Sequence, residues 1–103
     1  MKYYEVFISA ENQEQADMIL NSLLEKKLAT GGQFISTPAR FLWKGKINNM
    51  GEYMIITSFT TEKQKDAIIV DVRKTSQEDF PMIRFFEFIG NEELLKWIDE
   101  TLE

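Results

Sequence analysis

Cysteine and histidine are both absent from this chain of 103 residues. Without cysteine there is no disulfide framework, no thiolate metal site and no thiol nucleophile. Without histidine the usual acid–base group of neutral pH is missing, and so is the commonest ligand for zinc and copper. Ser-His-Asp catalysis and tetrahedral zinc chemistry are therefore excluded. Carboxylate, lysine, tyrosine and hydroxyl groups remain, and no catalytic residue, resident metal or cofactor is expected. Basic residues are the minority, 12 against 17 acids, for a net charge of −5. A duplex nucleic-acid binder needs a basic footprint to displace phosphate counterions, so nucleic acid is not an expected partner. No apolar run approaches the ~20 residues that span a bilayer, so no membrane is expected. Met1-Lys2-Tyr3-Tyr4-Glu5-Val6 runs straight into a strand-like pattern without the features of a signal peptide, and the expected location is the cytoplasm.

What is present is globular. Hydrophobic residues make up 44% and charged residues 28%, which argues against disorder. A chain of this length holds one core, so residues 1–103 are read as a single domain. Area scaling gives about 17,500 Å² exposed when unfolded against roughly 6,000 Å² when folded, enough burial for an ordinary core without staples.

Residues 3–9 alternate Tyr4, Val6 and Ile8 against Tyr3, Glu5 and Phe7, the period of a strand. Asn12 offers an N-cap with Gln15 in capping-box position, and Ala16, Ile19, Leu20, Leu23 and Leu24 follow on one helical stripe that Glu25-Lys26-Lys27 ends. After Gly31-Gly32 a β-rich stretch runs from about Gln33 to Ile47, with a bend, bulge or edge expected at Pro38. Asn48-Asn49-Met50-Gly51 reads as the turn of a hairpin, and Glu52–Thr60 as its returning strand. Thr60-Thr61-Glu62 looks like a helix start. Ala67–Val72 suits strand or helix, and the threonine cap with Arg73-Lys74 behind it favours helix. Ser76–Asp79 is polar loop, Phe80–Ile89 a fourth strand, and Glu92-Glu93 open a last helix bearing Leu94, Leu95, Ile98 and Leu102. The order β-α-β-β-α-β plus a C-terminal helix predicts an α+β fold, the ferredoxin-like split βαβ sandwich with a four-stranded antiparallel sheet.

The strands are apolar on both sides: Tyr3 and Phe7, Phe41 and Trp43, Tyr53 and Phe59, Phe86 and Phe88. A solvated face would alternate with polar residues, so this surface calls for a partner, self-association first, unless the C-terminal helix and Trp97 cover it alone. An RNA-stacking platform would need a basic-Gly-aromatic run on a central strand, and none is present. Acylphosphatase-like chemistry would need an arginine in an anion cradle, but the first loop reads Ser9-Ala10-Glu11-Asn12. Glu78-Asp79 could hold a hard cation such as Mg²⁺ or Ca²⁺, or form a solvated acidic turn. Arg40, Lys44 and Lys46 beside Trp43 could hold a small anion or stack a ring, or simply protect a strand edge.

Leu28-Ala29-Thr30, Trp43-Lys44-Gly45-Lys46-Ile47, Glu52 opening an apolar strand, Phe80-Pro81-Met82-Ile83 and Leu95-Lys96-Trp97-Ile98 occur in this order. Together they resemble CutA, the divalent-cation tolerance proteins, over nearly the whole chain. The resemblance implies a non-enzymatic, ferredoxin-like subunit of a tight homotrimer, similar in architecture to PII signalling proteins and linked to metal-ion tolerance. It also implies an inter-subunit cleft where a signature loop meets the tryptophan-bearing strand of a neighbour. Trp43, Lys46, Glu52, Glu78 and Asp79 would line that cleft and bind a small anion or a hard divalent cation. In the alternative reading they only stabilise a structural trimer with no ligand site. The family's cysteine falls at Gly31, its strand-end lysine at Ser58, and its His-Pro-Tyr-Glu-x-Pro-Glu loop on Ser76–Met82, where Pro81 is kept and Asp79 nearly matches. Copper, which wants imidazole or sulfur, is therefore not an expected ligand.

Overall fold

A computed structural model describes residues 1–103. In chain order it contains β1 (Tyr3–Ala10), α1 (Gln13–Glu25), β2 (Gly32–Trp43), β3 (Lys46–Thr61), a 3₁₀ turn (Glu62–Gln64), α2 (Lys65–Thr75), β4 (Ile83–Glu87) and α3 (Glu92–Leu102). The strands form one sheet in the order β2-β3-β1-β4, every pair antiparallel. This is the split βαβ arrangement that the element order predicts.

Alternation along β1 sets the two faces. Tyr4, Val6, Ile8 and Ala10 are buried, and their partners across β3 are Thr60, Ser58, Ile56 and Met54. Against this face α1 lays Ala16, Ile19, Leu20 and Leu23, and α2 lays Ile68 and Val72, to make the core. Each large aliphatic side chain withdrawn there contributes about 1.5–3 kcal/mol. Leu24, at the margin of the predicted stripe, stays partly exposed.

The start of α1 keeps half of the predicted box. Asn12 Oδ1 accepts from the Gln15 backbone N–H at 2.9 Å. The Gln15 side chain does not fold back on the cap, because it is buried and paired with Gln77. Ala67–Val72 is helical, as its flanking residues favour. Ile68 and Val72, four apart, are both fully buried, whereas Val70 between them is exposed, a spacing that no strand gives. Thr61 does not cap this helix; its hydroxyl bonds the Gln64 side chain and a 3₁₀ turn precedes α2. Asp71, buried on α2, accepts from Ser22 Oγ at 2.8 Å and pairs with Lys26, clasping α2 to α1.

The hairpin departs from the sequence reading. Its turn is Lys44-Gly45, both at positive φ (51° and 78°), with Trp43 paired to Lys46. Two residues in that conformation twist in the sense of the flanking strands, which Asn48–Gly51 would have had to match with a longer loop. Asn48–Gly51 lies inside β3 instead, so β2 ends at Trp43 and β3 begins at Lys46 rather than Glu52. Pro38 does sit at an irregularity: Thr37 pairs with Tyr53 but Ala39 pairs with Met50, leaving an extra residue on β3 opposite the proline. The fourth strand is shorter than Phe80–Ile89. It covers Ile83–Glu87, because Met82 is bound by Ser9 rather than by a regular ladder.

On the second face α3 covers only one end. Ile98 is fully buried, Tyr3 Oη forks onto the Asp99 carboxylate at 3.0 and 2.8 Å, and Phe88 lies between Tyr3 and Phe59. Beyond that, Phe86 is 50% and Ile35 43% exposed, and Trp97 itself is 45% exposed. Helix and tryptophan do not close the face by themselves.

Candidate functional site

The loop after α2 is tied down by side chains rather than by regular structure. Ser9, at the end of β1, donates from Oγ to Glu78 Oε1 at 2.8 Å and accepts from the Met82 N–H at 2.9 Å. Tyr53 of β3 donates its hydroxyl to Glu78 Oε2 at 2.6 Å. Gln15 of α1 holds the same loop through Gln77, donating from Nε2 at 2.9 Å and accepting from the backbone N–H at 3.3 Å. Both oxygens of Glu78 are therefore engaged, and the loop's course is set by three elements distant in sequence.

Burial pushes the Tyr53 phenol well above its ordinary value, and the neighbouring Glu78 carboxylate, which takes its hydrogen bond, pushes the same way. The phenol therefore stays protonated and stays a donor at physiological pH.

This loop faces the turn end of the hairpin across a cavity of about 420 Å³ whose walls include Glu11, Trp43, Tyr53, Glu78, Asp79 and Phe80. Trp43 meets Phe80 with ring centroids 5.4 Å apart, and Phe41 meets Tyr53 edge-on at 5.3 Å. Lys44 Nζ lies 5.5 Å from the centre of the Trp43 ring. Three carboxylates and no basic side chain line the cavity. They do not converge: no group of three or more carboxylates is placed to hold a metal ion within one chain.

Of the residues singled out from sequence, Trp43, Glu78 and Asp79 come together here. Lys46 and Glu52 do not line the cavity. Lys46 is exposed beside the turn, opposite Trp43, and Glu52 is exposed in the bulge opposite Pro38. Sequence reasoning missed Tyr53, Ser9, Gln15 and Phe80. The one signal available for them was that a loop carboxylate held in place needs donors, and Ser9 and Tyr53 are hydroxyls on the sheet face that turns out to meet the loop.

Residues 4–101 match the family model of the CutA1 divalent ion tolerance proteins. A divalent-cation tolerance protein CutA of Archaeoglobus fulgidus is 33% identical over 99 residues, covering 95% of this chain and 96% of the relative. The solved structure of the periplasmic divalent cation tolerance protein CutA from that organism superposes with a TM-score of 0.91 at 30% identity, covering 98% of this chain and 99% of the other. CutA1 from Ehrlichia chaffeensis shares the fold at a TM-score of 0.91 and 22% identity, over 100% of this chain and 98% of its own. CutA1 from Oryza sativa does so at 0.90 and 21%, over 98% and 94%. With the strand order, the helix packing and the model match in agreement, the chain belongs to the CutA1 divalent ion tolerance family.

Proposed function

We propose that this chain is a non-enzymatic subunit of a homotrimer, each subunit carrying a small-ligand cleft beside Trp43, Glu78 and Asp79, and that the assembly serves divalent-cation tolerance as a binding or regulatory module. One observation carries the assembly: the sheet face beyond α3 keeps Phe86 and Ile35 about half exposed. The isolated chain exposes 6697 Å², against about 6,000 Å² for a monomer of this mass. Its radius of gyration is 14.2 Å, against about 13 Å for a compact domain of this length. Excess apolar surface on a stretched subunit is what association removes. The cavity supports a cationic ligand over an anionic one, since its charged walls are all acidic.

A purely structural trimer has one observation in its favour: Glu78, the most constrained acid of the cleft, already serves the chain itself through Ser9 and Tyr53. Native mass spectrometry of untagged protein separates the readings. A trimer with additional bound mass is the expected result and identifies the occupant. A bare trimer that takes up no cation on titration favours the structural reading. A monomer overturns the assembly.

A further inference from the structure

The cavity's walls are more specific than its charge. Four aromatic residues, Phe41, Trp43, Tyr53 and Phe80, face it together with Glu78 and Asp79. A hard dication asks for about six to eight oxygen ligands, or for several retained waters. This cavity offers carboxylates that do not converge, and one of them, Glu78, is already engaged at both oxygens. Its apolar majority also strips water that such an ion holds tightly. A bulky, weakly hydrated cation has the opposite needs. It gains from ring faces, whose quadrupoles are negative, and requires only nearby counter-charge without directed coordination.

The indole of Trp43 already behaves this way within the chain, with the Lys44 ammonium 5.5 Å from its centre. Lys44 itself is not among the cavity walls. Asp79 is exposed and in no ion pair, so its charge is free to serve a ligand. A volume of about 420 Å³ falls within the roughly 300–1,000 Å³ typical of small-molecule sites.

We propose that this cavity receives an organic ammonium cation, quaternary or alkyl-substituted, seated against the Trp43–Phe80 and Phe41–Tyr53 ring pairs with Asp79 and Glu78 as counter-charge. The inference rests on the reading of this cleft as a ligand site and names the ligand's chemical class.

Proton–nitrogen NMR tests it on the full chain with choline chloride as the probe. The two tryptophans give two indole N–H signals, assigned by the loss of one in Trp43→Phe, and Trp97 serves as the internal control. Choline is expected to shift the Trp43 signal saturably and leave Trp97 in place. Its neutral isostere, with carbon replacing the quaternary nitrogen, is expected to do neither. Phe80→Leu is expected to weaken choline binding, read on the Trp43 signal, by about tenfold, the scale of a desolvated cation–π contact, and Asp79→Asn, which removes counter-charge, is expected to weaken it as well. Both sites are partly exposed, and a retained NMR fingerprint confirms that each variant folds. Equal shifts from choline and its isostere would overturn the proposal, as would a Trp43 response to MgCl₂ but not to choline, or no response to either. The mass of the same sample keeps this apart from the assembly reading. A monomer that binds choline overturns only the trimer, a trimer that binds Mg²⁺ alone overturns only the ammonium assignment, and a trimer that binds neither probe overturns the ligand cleft with it.

Discussion

Tyr53 is 4% exposed, and its hydroxyl spans from the sheet to a loop carboxylate. A phenolate there would lose hydration and face Glu78, so the folded chain holds the phenolic proton more tightly than the unfolded chain does. The stabilisation this gives is fully present below the unfolded value near 10, and is lost as pH rises above it, because the unfolded state then releases the proton first. Tyr3 acts in the same direction, chiefly through its hydrogen bonds to Asp99. Tyr53→Phe is therefore expected to make the alkaline fall in melting temperature shallower while leaving the Tyr3 part of it. At neutral pH the lost hydrogen bond costs about 1 kcal/mol, a drop of about 4–8 °C for a domain of this size. Thermal melts of both proteins at pH 7 and above pH 10 check this, and parallel alkaline limbs would refute it. The acids of this network were visible in the sequence as a carboxylate pair in a loop. Their donors were not, because Ser9 and Tyr53 lie 69 and 25 positions from Glu78 and no local pattern joins them.

Among the elements, the hairpin is where local chemistry misleads. Asn48-Asn49-Met50-Gly51 is richer in turn formers than Lys44-Gly45, yet the chain reverses at Lys44-Gly45. The shorter reversal keeps Trp43 and Lys46 paired and extends β3 to 16 residues, more backbone bonding than a turn at Asn48–Gly51 allows. The two glycines then respond differently to alanine. Gly45, at φ 78° with open space around it, pays only in backbone conformation, about 1–2 kcal/mol. Gly51, in strand conformation and equally open, is expected to gain about 0.4–1 kcal/mol from a stiffer unfolded chain. Urea denaturation of Gly45→Ala and Gly51→Ala measures both, and the reverse order would put the turn at Asn48–Gly51. Helix α2 shows the converse: a β-branched run that looks like strand is helical because two residues four apart both find the sheet.

For the whole molecule the decisive feature is the surface that one chain leaves open. Phe86 is half exposed in the subunit and packs edge-on against Phe7 at 5.3 Å, so Phe86→Glu is expected to cost the subunit about 1–2 kcal/mol. In the proposed assembly the same change buries a charge without a partner, which costs far more than the ring contributes by burial. The expected outcome is a particle of one-subunit mass with an unchanged far-ultraviolet circular dichroism spectrum. A variant that still assembles at full size would remove this face from the interface. The wild-type melting temperature should also rise with protein concentration, by mass action on association.

Periodicity was enough for β1, α1 and α3, since each carries its burial pattern within a dozen residues, and the residues flanking Ala67–Val72 were needed to add α2 and complete the order of elements. Composition alone removed sulfur and imidazole chemistry, and strands with two apolar sides marked the sheet face on which Phe86 and Ile35 stay about half exposed. The tertiary structure decided where the hairpin turns, which acids meet which hydroxyls, and that Trp43, Asp79 and Phe80 line one cavity within the chain. Those outcomes depend on strand twist and on contacts between residues far apart in the chain, which are selected by the packed whole and leave no local trace in the order of amino acids.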